Sequence, residues 1–114
     1  MTIDLIRSTC KKLAGVTEGI KWGNDLCFMI AEKMFCVINL SFPLTIALKV
    51  KDNEFEELTS IPGIQPAPYV ARYKWILVTD LSKFTKKEWQ HYIVQSYELV
   101  KSKIPKGILK KNKL

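Results

Sequence analysis

Between Thr17 and Val50 the sequence breaks into short apolar runs separated by turn signals, and this pattern restricts the fold more than any other stretch. Thr17 to Trp22 reads as a first strand and is stopped by Gly23-Asn24-Asp25, a strong turn sequence. Leu26 to Ile30 and Met34 to Leu40 follow, joined through Ala31-Glu32-Lys33 in a tight hairpin. Ser41-Phe42-Pro43 interrupts the chain before Leu44 to Val50. In that run Leu44, Ile46, Leu48 and Val50 point one way, and Thr45, Ala47 and Lys49 point the other. Hairpins in sequence make an antiparallel meander with one face free to take helices.

The helices needed to cover that face stand at the two ends. Ile3, Ile6, Cys10, Leu13 and Ala14 recur at three- and four-residue intervals, which predicts a helix over residues 2–14 with Thr2 as its cap and Gly15 as its end. Near the other terminus, Thr85-Lys86-Lys87-Glu88 is a capping box, and Phe84 with Trp89 has the spacing of a hydrophobic staple. Trp89, Tyr92, Ile93, Ser96, Tyr97, Val100 and Ile104 then form a single buried stripe, stopped by Pro105. A shorter helix is predicted over residues 53–58, with Asn53 as cap and Glu56 completing the box.

Between that helix and the last one lies Ile61 to Val78, with Pro62, Pro66 and Pro68 in seven residues. Fixed φ and missing N–H donors make this backbone ordered but neither helix nor central strand. It carries Tyr69, Arg72, Tyr73, Lys74 and Trp75 and runs into a strand over residues 74–79. A rigid, aromatic loop feeding a strand is a place where function concentrates. The whole is one α+β domain over residues 1–105, a twisted antiparallel sheet flanked by N- and C-terminal helices, followed by a basic, flexible tail over 106–114.

Charge refines this. The formal net charge is +7, but six lysines and no acid lie from Lys101 onward, so residues 1–100 carry a net charge of only +1. Such a tail can hold a phosphate backbone without reading sequence. No apolar run approaches membrane-spanning length, and the opening residues lack the order of a signal peptide, which predicts a cytoplasmic protein. Cys10, Cys27 and Cys36 sit among apolar neighbours without C-x-x-C spacing and read as buried free thiols. His91 is the only histidine, lies off the apolar stripe and offers no histidine-based metal cluster. No glycine-rich phosphate loop is present. Catalysis therefore has no nucleophile or relay to build on, and neither a metal nor another cofactor is expected.

Binding has more material. Trp22, Tyr69, Tyr73, Trp75 and Tyr97 offer flat apolar surface with polar edges, and Lys33, Lys49, Arg72 and Lys74 offer charge suited to phosphate. A structural reading competes, since a domain this small uses most tryptophans in its core. Trp75 fits that role, and Tyr97 reads as a core residue whose hydroxyl finds a partner.

These segments together resemble the MmcQ/YjbR-like family. Trp22-Gly23-Asn24-Asp25, Phe28 and Lys33-Met34-Phe35 are similar to its W-G-x-D-x-x-F…K-M-F signature. Leu48-Lys49 with Phe55 and Leu58 resembles its next block. Pro62-Gly63-Ile64, Pro66-Ala67-Pro68-Tyr69 and Lys74-Trp75 resemble P-G-I-x-P-A-x-Y…W. Ser96-Tyr97-Glu98-Leu99-Val100 through Ile104-Pro105-Lys106 resembles S-Y-x-L-V…L-P-K. The resemblance implies a CyaY-like α+β fold and a domain described as DNA-binding through a double wing of hairpins. The fold is also similar to that of frataxin, whose iron binding uses an acidic first helix. Here Asp4 is that helix's only acid beside Arg7, Lys11 and Lys12, so iron is not expected.

Two functional expectations follow. The first is a non-enzymatic nucleic-acid-binding domain, a monomer or weak homodimer, that holds double-stranded DNA mainly by backbone contacts from Lys33, Lys49, Arg72 and Lys74. The second is a small-ligand or peptide-binding module. Its pocket would lie between the sheet and the last helix and be lined by Trp22, Lys33, Lys49, Tyr69, Trp75, Ser96 and Tyr97.

Overall fold

A computed structural model describes residues 3–114. The chain runs α1 (Ile3–Lys11), β1 (Val16–Lys21), β2 (Asp25–Ile30), β3 (Lys33–Asn39), β4 (Thr45–Lys49), α2 (Asp52–Thr59), β5 (Ile64–Pro66), β6 (Trp75–Val78), α3 (Lys86–Lys101) and α4 (Lys106–Lys111). The six strands form one antiparallel sheet in the order β1-β2-β3-β4-β6-β5. The fold is thus the α+β sheet with flanking helices expected from the strand and stripe patterns.

Period-two alternation divides the sheet into two unlike faces. Phe28, Ile30, Cys36, Ile38, Ile46, Leu48, Ile76 and Val78 point inward and join Ile6, Cys10, Trp89, Ile93 and Tyr97 in one core. Met29, Met34, Val37, Ala47, Trp75 and Leu77 occupy the alternate positions and are half-buried on the other face. The covering layer on that second face is the segment from Ala67 to Lys74. A bulge in β3 complicates the alternation: Met29 pairs with Met34 and Phe28 with Cys36, leaving Phe35 unpaired. Phe35 turns into the core, where its ring meets Tyr97 edge-on at 5.4 Å.

Local chemistry explains the ends of α3. Thr85 Oγ1 accepts from Glu88 N–H at 3.1 Å, and Glu88 Oε1 accepts from Thr85 N–H at 2.9 Å, the reciprocal box anticipated from sequence. The Phe84 and Trp89 rings meet at 5.0 Å, and the buried Trp89 indole donates to Leu81 O at 3.0 Å. Tyr97 is a core residue, and its hydroxyl donates to Ala14 O at 2.6 Å. All three cysteines are free and buried.

Several boundaries differ from expectation. The first helix ends at Lys11 rather than 14, and Thr2, its expected cap, lies outside the described residues. Asn53 does not cap α2: the helix starts one residue earlier, and Glu54 rather than Glu56 reaches back to accept from Lys51 N–H at 3.1 Å. The proline-rich stretch contains a short strand, β5. It lies at the sheet edge, where Pro66 can sit because no outer neighbour needs its missing N–H. The lysine-rich tail is also more than a loose end. Residues 106–111 coil into α4, and Leu109 and Leu114 pack against the core. Apolar residues inside the basic run provide the anchoring that its charge conceals.

Candidate functional site

The open face of the sheet carries two adjoining cavities, of ≈ 290 and ≈ 600 Å³, which share Met34, Val70 and Trp75 as walls. The smaller lies where β3 begins and β4 ends, bordered by Tyr73 from the covering segment, by Val100 near the end of α3, and by Lys103, Ile104 and Ile108 beyond it. The larger runs along the sheet over Val37, Ala47 and Leu77, beneath Ala67, Pro68 and Tyr69, with Trp22 and Asp25 at its far end. Together they make an apolar groove with lysines at one end and aromatic residues at the other.

Lys49 is the unusual member. It is 9% exposed, and its Nζ donates to Tyr73 O. The ion pairs among the described residues join Arg7 and Lys11 to Glu18, so Lys49 has no carboxylate partner there. Burial, followed by the like charge of Lys103, holds its ammonium below the ordinary lysine pKa; Asp52 pulls the other way and Lys74 adds to the lowering. A positive charge kept in an apolar recess without a counterion attracts an anion.

The backbone of Lys49 is fixed from the opposite side. Pairing of β3 with β4 ends at Cys36–Leu48. Beyond it, the fully buried Ser96 hydroxyl accepts from Lys49 N–H at 2.9 Å and donates to Phe35 O at 2.6 Å. Ser96 thus bridges the bulge of β3 to the end of β4 from within α3, and sets where the Lys49 side chain begins. Val50 N–H donates to Lys74 O at 2.9 Å, tying the covering segment to the same strand end.

Left-handed backbone recurs in the turns beside this groove, including the β2–β3 hairpin turn at Ala31-Glu32, and also at Lys113 near the C-terminal end. Trp22 (φ 53°), Ala31 (φ 47°), Glu32 (φ 68°), Tyr69 (φ 70°) and Lys74 (φ 66°) all adopt it without being glycine. Each costs roughly 1–2 kcal/mol, and strain of this kind collects at binding and active sites. Three of the five, Trp22, Ala31 and Tyr69, line the cavities themselves. Trp22 and Tyr69, which border the larger cavity, are 72% and 99% exposed.

The residues singled out from sequence fall into three groups. Lys33, Lys49, Trp75, Trp22 and Tyr69 line the groove. Arg72 and Lys74 belong to the covering segment but turn away from it. Arg72 stacks on the Tyr73 ring at 4.8 Å, and Lys74 Nζ lies 5.1 Å from the centroid of Phe55. Ser96 and Tyr97 stand on the helix-covered face, because the space between sheet and α3 is filled by core side chains. The recess therefore lies on the opposite face of the sheet, with the last turn of α3 at Val100 and the chain beyond it forming its end wall. Sequence reasoning passed over Met34, Val70 and Lys103. The first two look like ordinary core residues, and Lys103 is hidden among the tail lysines.

Fold and groove define a small α+β domain with one sheet face packed by helices and the other left open under an aromatic, proline-rich flap. The family model described as YjbR matches residues 11–99, and the chain belongs to the YjbR family. Its structure is similar to that of Deinococcus radiodurans protein DR2400, titled as a DUF419 domain. That likeness has a TM-score of 0.87 and 25% identity, over 99% of this chain and 88% of that one. A Pseudomonas syringae protein shares the fold at a TM-score of 0.72 and 20% identity, over 88% of this chain and 99% of that one. No curated protein matches the chain. No helix among the described residues is long and apolar enough to cross a membrane, and no group of three or more His, Cys, Asp or Glu there could hold a metal.

Proposed function

We propose that the chain is a binding module whose open-face groove takes a small organic anion. The carboxylate or phosphate meets Lys49, Lys33 and Lys103, and the apolar body lies over Met34, Val70 and Trp75 toward Trp22 and Tyr69. The observation that carries this reading is Lys49, nearly enclosed in an apolar recess with a backbone carbonyl as its partner and no carboxylate at hand. A recessed lysine reaches a small anion that enters the groove, whereas the phosphates of a duplex stay outside. Catalysis is not part of the proposal: the thiols are buried, and His91 stands exposed on α3 against Tyr92. The free thiols fit a reducing compartment, which supports a cytoplasmic location.

Thermal unfolding with phenyl phosphate and benzoate as probes tests this reading. A ligand present at 100 times its Kd stabilises by about 2.7 kcal/mol, a shift of several degrees in a domain of this size. Lys49→Met is expected to lose that shift; an equal shift in both proteins contradicts the assignment.

One observation favours a second reading, nucleic-acid backbone binding. Lys106, Lys110 and Lys111 are exposed on α4, and Lys103 and Lys33 lie beside them at the groove's lysine end. Fluorescence anisotropy with a labelled duplex at two salt concentrations addresses it. The three α4 lysines are best replaced by glutamine rather than removed, because Leu109 and Leu114 pack on the core. Strong salt-dependent binding that survives those substitutions and is lost in Lys33→Gln would place phosphate contact on the domain itself.

A further inference from the structure

We infer that Lys49 is a carbonyl-capturing amine, forming a reversible imine with an aldehyde or keto compound that also carries a carboxylate or phosphate. This rests on the groove being a ligand site and says which ligands it is built for. Three features of the site support it. Lys49 is nearly buried and lines the smaller cavity together with the apolar residues Val70, Trp75 and Ile104. Its partner, Tyr73 O, accepts one N–H and brings no negative charge to hold the ammonium form. The charges that act on it are those of Lys103 beyond α3 and Lys74 ahead of β6 against Asp52 at the start of α2, and Lys33 and Lys103 line the same cavity. Desolvation next to a second cation is the arrangement that makes a lysine nucleophilic at neutral pH.

The chemistry closes without a co-reactant. In the neutral form, the Lys49 lone pair adds to the carbonyl carbon and a proton passes from nitrogen to the former carbonyl oxygen, giving a carbinolamine. Water then leaves and a carbon–nitrogen double bond remains; nothing is oxidised or reduced, and hydrolysis reverses the step. Lys33 and Lys103 stay at the same cavity to hold the ligand's anionic group once Lys49 is engaged.

Pyridoxal 5′-phosphate, an aromatic aldehyde bearing a phosphate, is the probe, with borohydride added to reduce any imine to a stable secondary amine. Peptide mass mapping then compares Lys49 with the exposed lysines, and titration with pyridoxine 5′-phosphate, the alcohol, measures anion binding without imine formation. At neutral pH Lys49 is expected to be labelled ahead of every exposed lysine, since a lowered pKa leaves more of it as the free amine. Lys49→Arg should lose the adduct. Lys103→Met, which leaves Lys49 in place, should slow labelling and keeps the test valid if the Arg variant fails to fold. If the alcohol binds but the aldehyde marks lysines at random, the imine is overturned and the anion groove survives. If the alcohol does not bind and labelling is random, both fall.

Discussion

Leu48 and Lys49 are neighbours on β4 that point to opposite faces of the sheet, and their surroundings contrast sharply. Leu48 is fully enclosed among Ile38, Ile46 and Ile76 beneath α3, where every side chain contributes burial. Lys49 enters a groove bounded by half-buried residues, strained turns and displayed aromatic rings, under a flap whose backbone is largely irregular. One face follows the rules of close packing. The other keeps features that cost stability, and such features persist where binding needs them. Under the proposed function, stability and recognition fall on opposite sides of a single sheet, with Ser96 hydrogen-bonded to the strands of both the bulge and Lys49.

The contrast breaks first, if it breaks at all, on the packed side. Trp89→Ala should cost about 3–5 kcal/mol, as truncation of a buried aromatic does, and should show in urea unfolding as a lower midpoint. Ser96→Ala comes next: it leaves Lys49 N–H and Phe35 O without their buried partner, a loss of about 1–3 kcal/mol. Because Ser96 also places the start of the Lys49 side chain, the same variant should bind phenyl phosphate more weakly, an effect Trp89→Ala need not share once folded. On the open side, Lys49→Met should stay within about 1 kcal/mol of the parent, since it exchanges a desolvated charge for an apolar chain. Tyr69→Ala should be nearly silent, within about 0.5 kcal/mol, because its ring is exposed. A large loss of stability from Tyr69→Ala would show that the flap belongs to the core and would undo the division.

Acidity sharpens the same comparison. Lys49 has a folded pKa lowered below its unfolded value, mainly by burial. The folded state therefore resists its charge, and stability should rise with pH through the window between the two values. Lys49→Met should flatten that rise. Anion affinity should move the opposite way, holding while Lys49 is charged and falling above its folded pKa. Glu18 offers a contrast on the helix side, its pKa lowered first by the hydrogen bond from Arg7. Its contribution is present above the unfolded carboxylate pKa and fades as pH falls through the folded one, and it should be small because the pair is exposed.

How much of this was legible in the sequence follows from the range of the interactions involved. The α3 capping box, the staple of Phe84 on Trp89 and the hairpins near Ala31-Glu32 are encoded within a few residues, so the pattern announces them. The inward set on β4 was equally readable from alternation, although Leu44 is only partly buried. The site depends on distant partners. Nothing in the neighbourhood of Ser96 says that its hydroxyl will bridge Phe35 to Lys49, and a serine in a helical stripe reads as well for a pocket as for a clamp. Lys103 looks like one more tail lysine until α4 folds back and makes its surroundings a wall. The capping of α2 slipped because Glu54 and Glu56 both stand in this short acidic helix, and sequence alone does not choose between them.

The most direct test of this division of labour is amide chemical-shift mapping of the protein titrated with phenyl phosphate. Shifts should concentrate in residues 33–37, 47–49 and 67–77, fade in Lys49→Met, and leave the buried turns of α3 around Trp89 and Ile93 unmoved. Shifts confined to residues 106–113 would contradict it, because the chain would then be binding anions through its lysine-rich end and the groove would have no part in recognition.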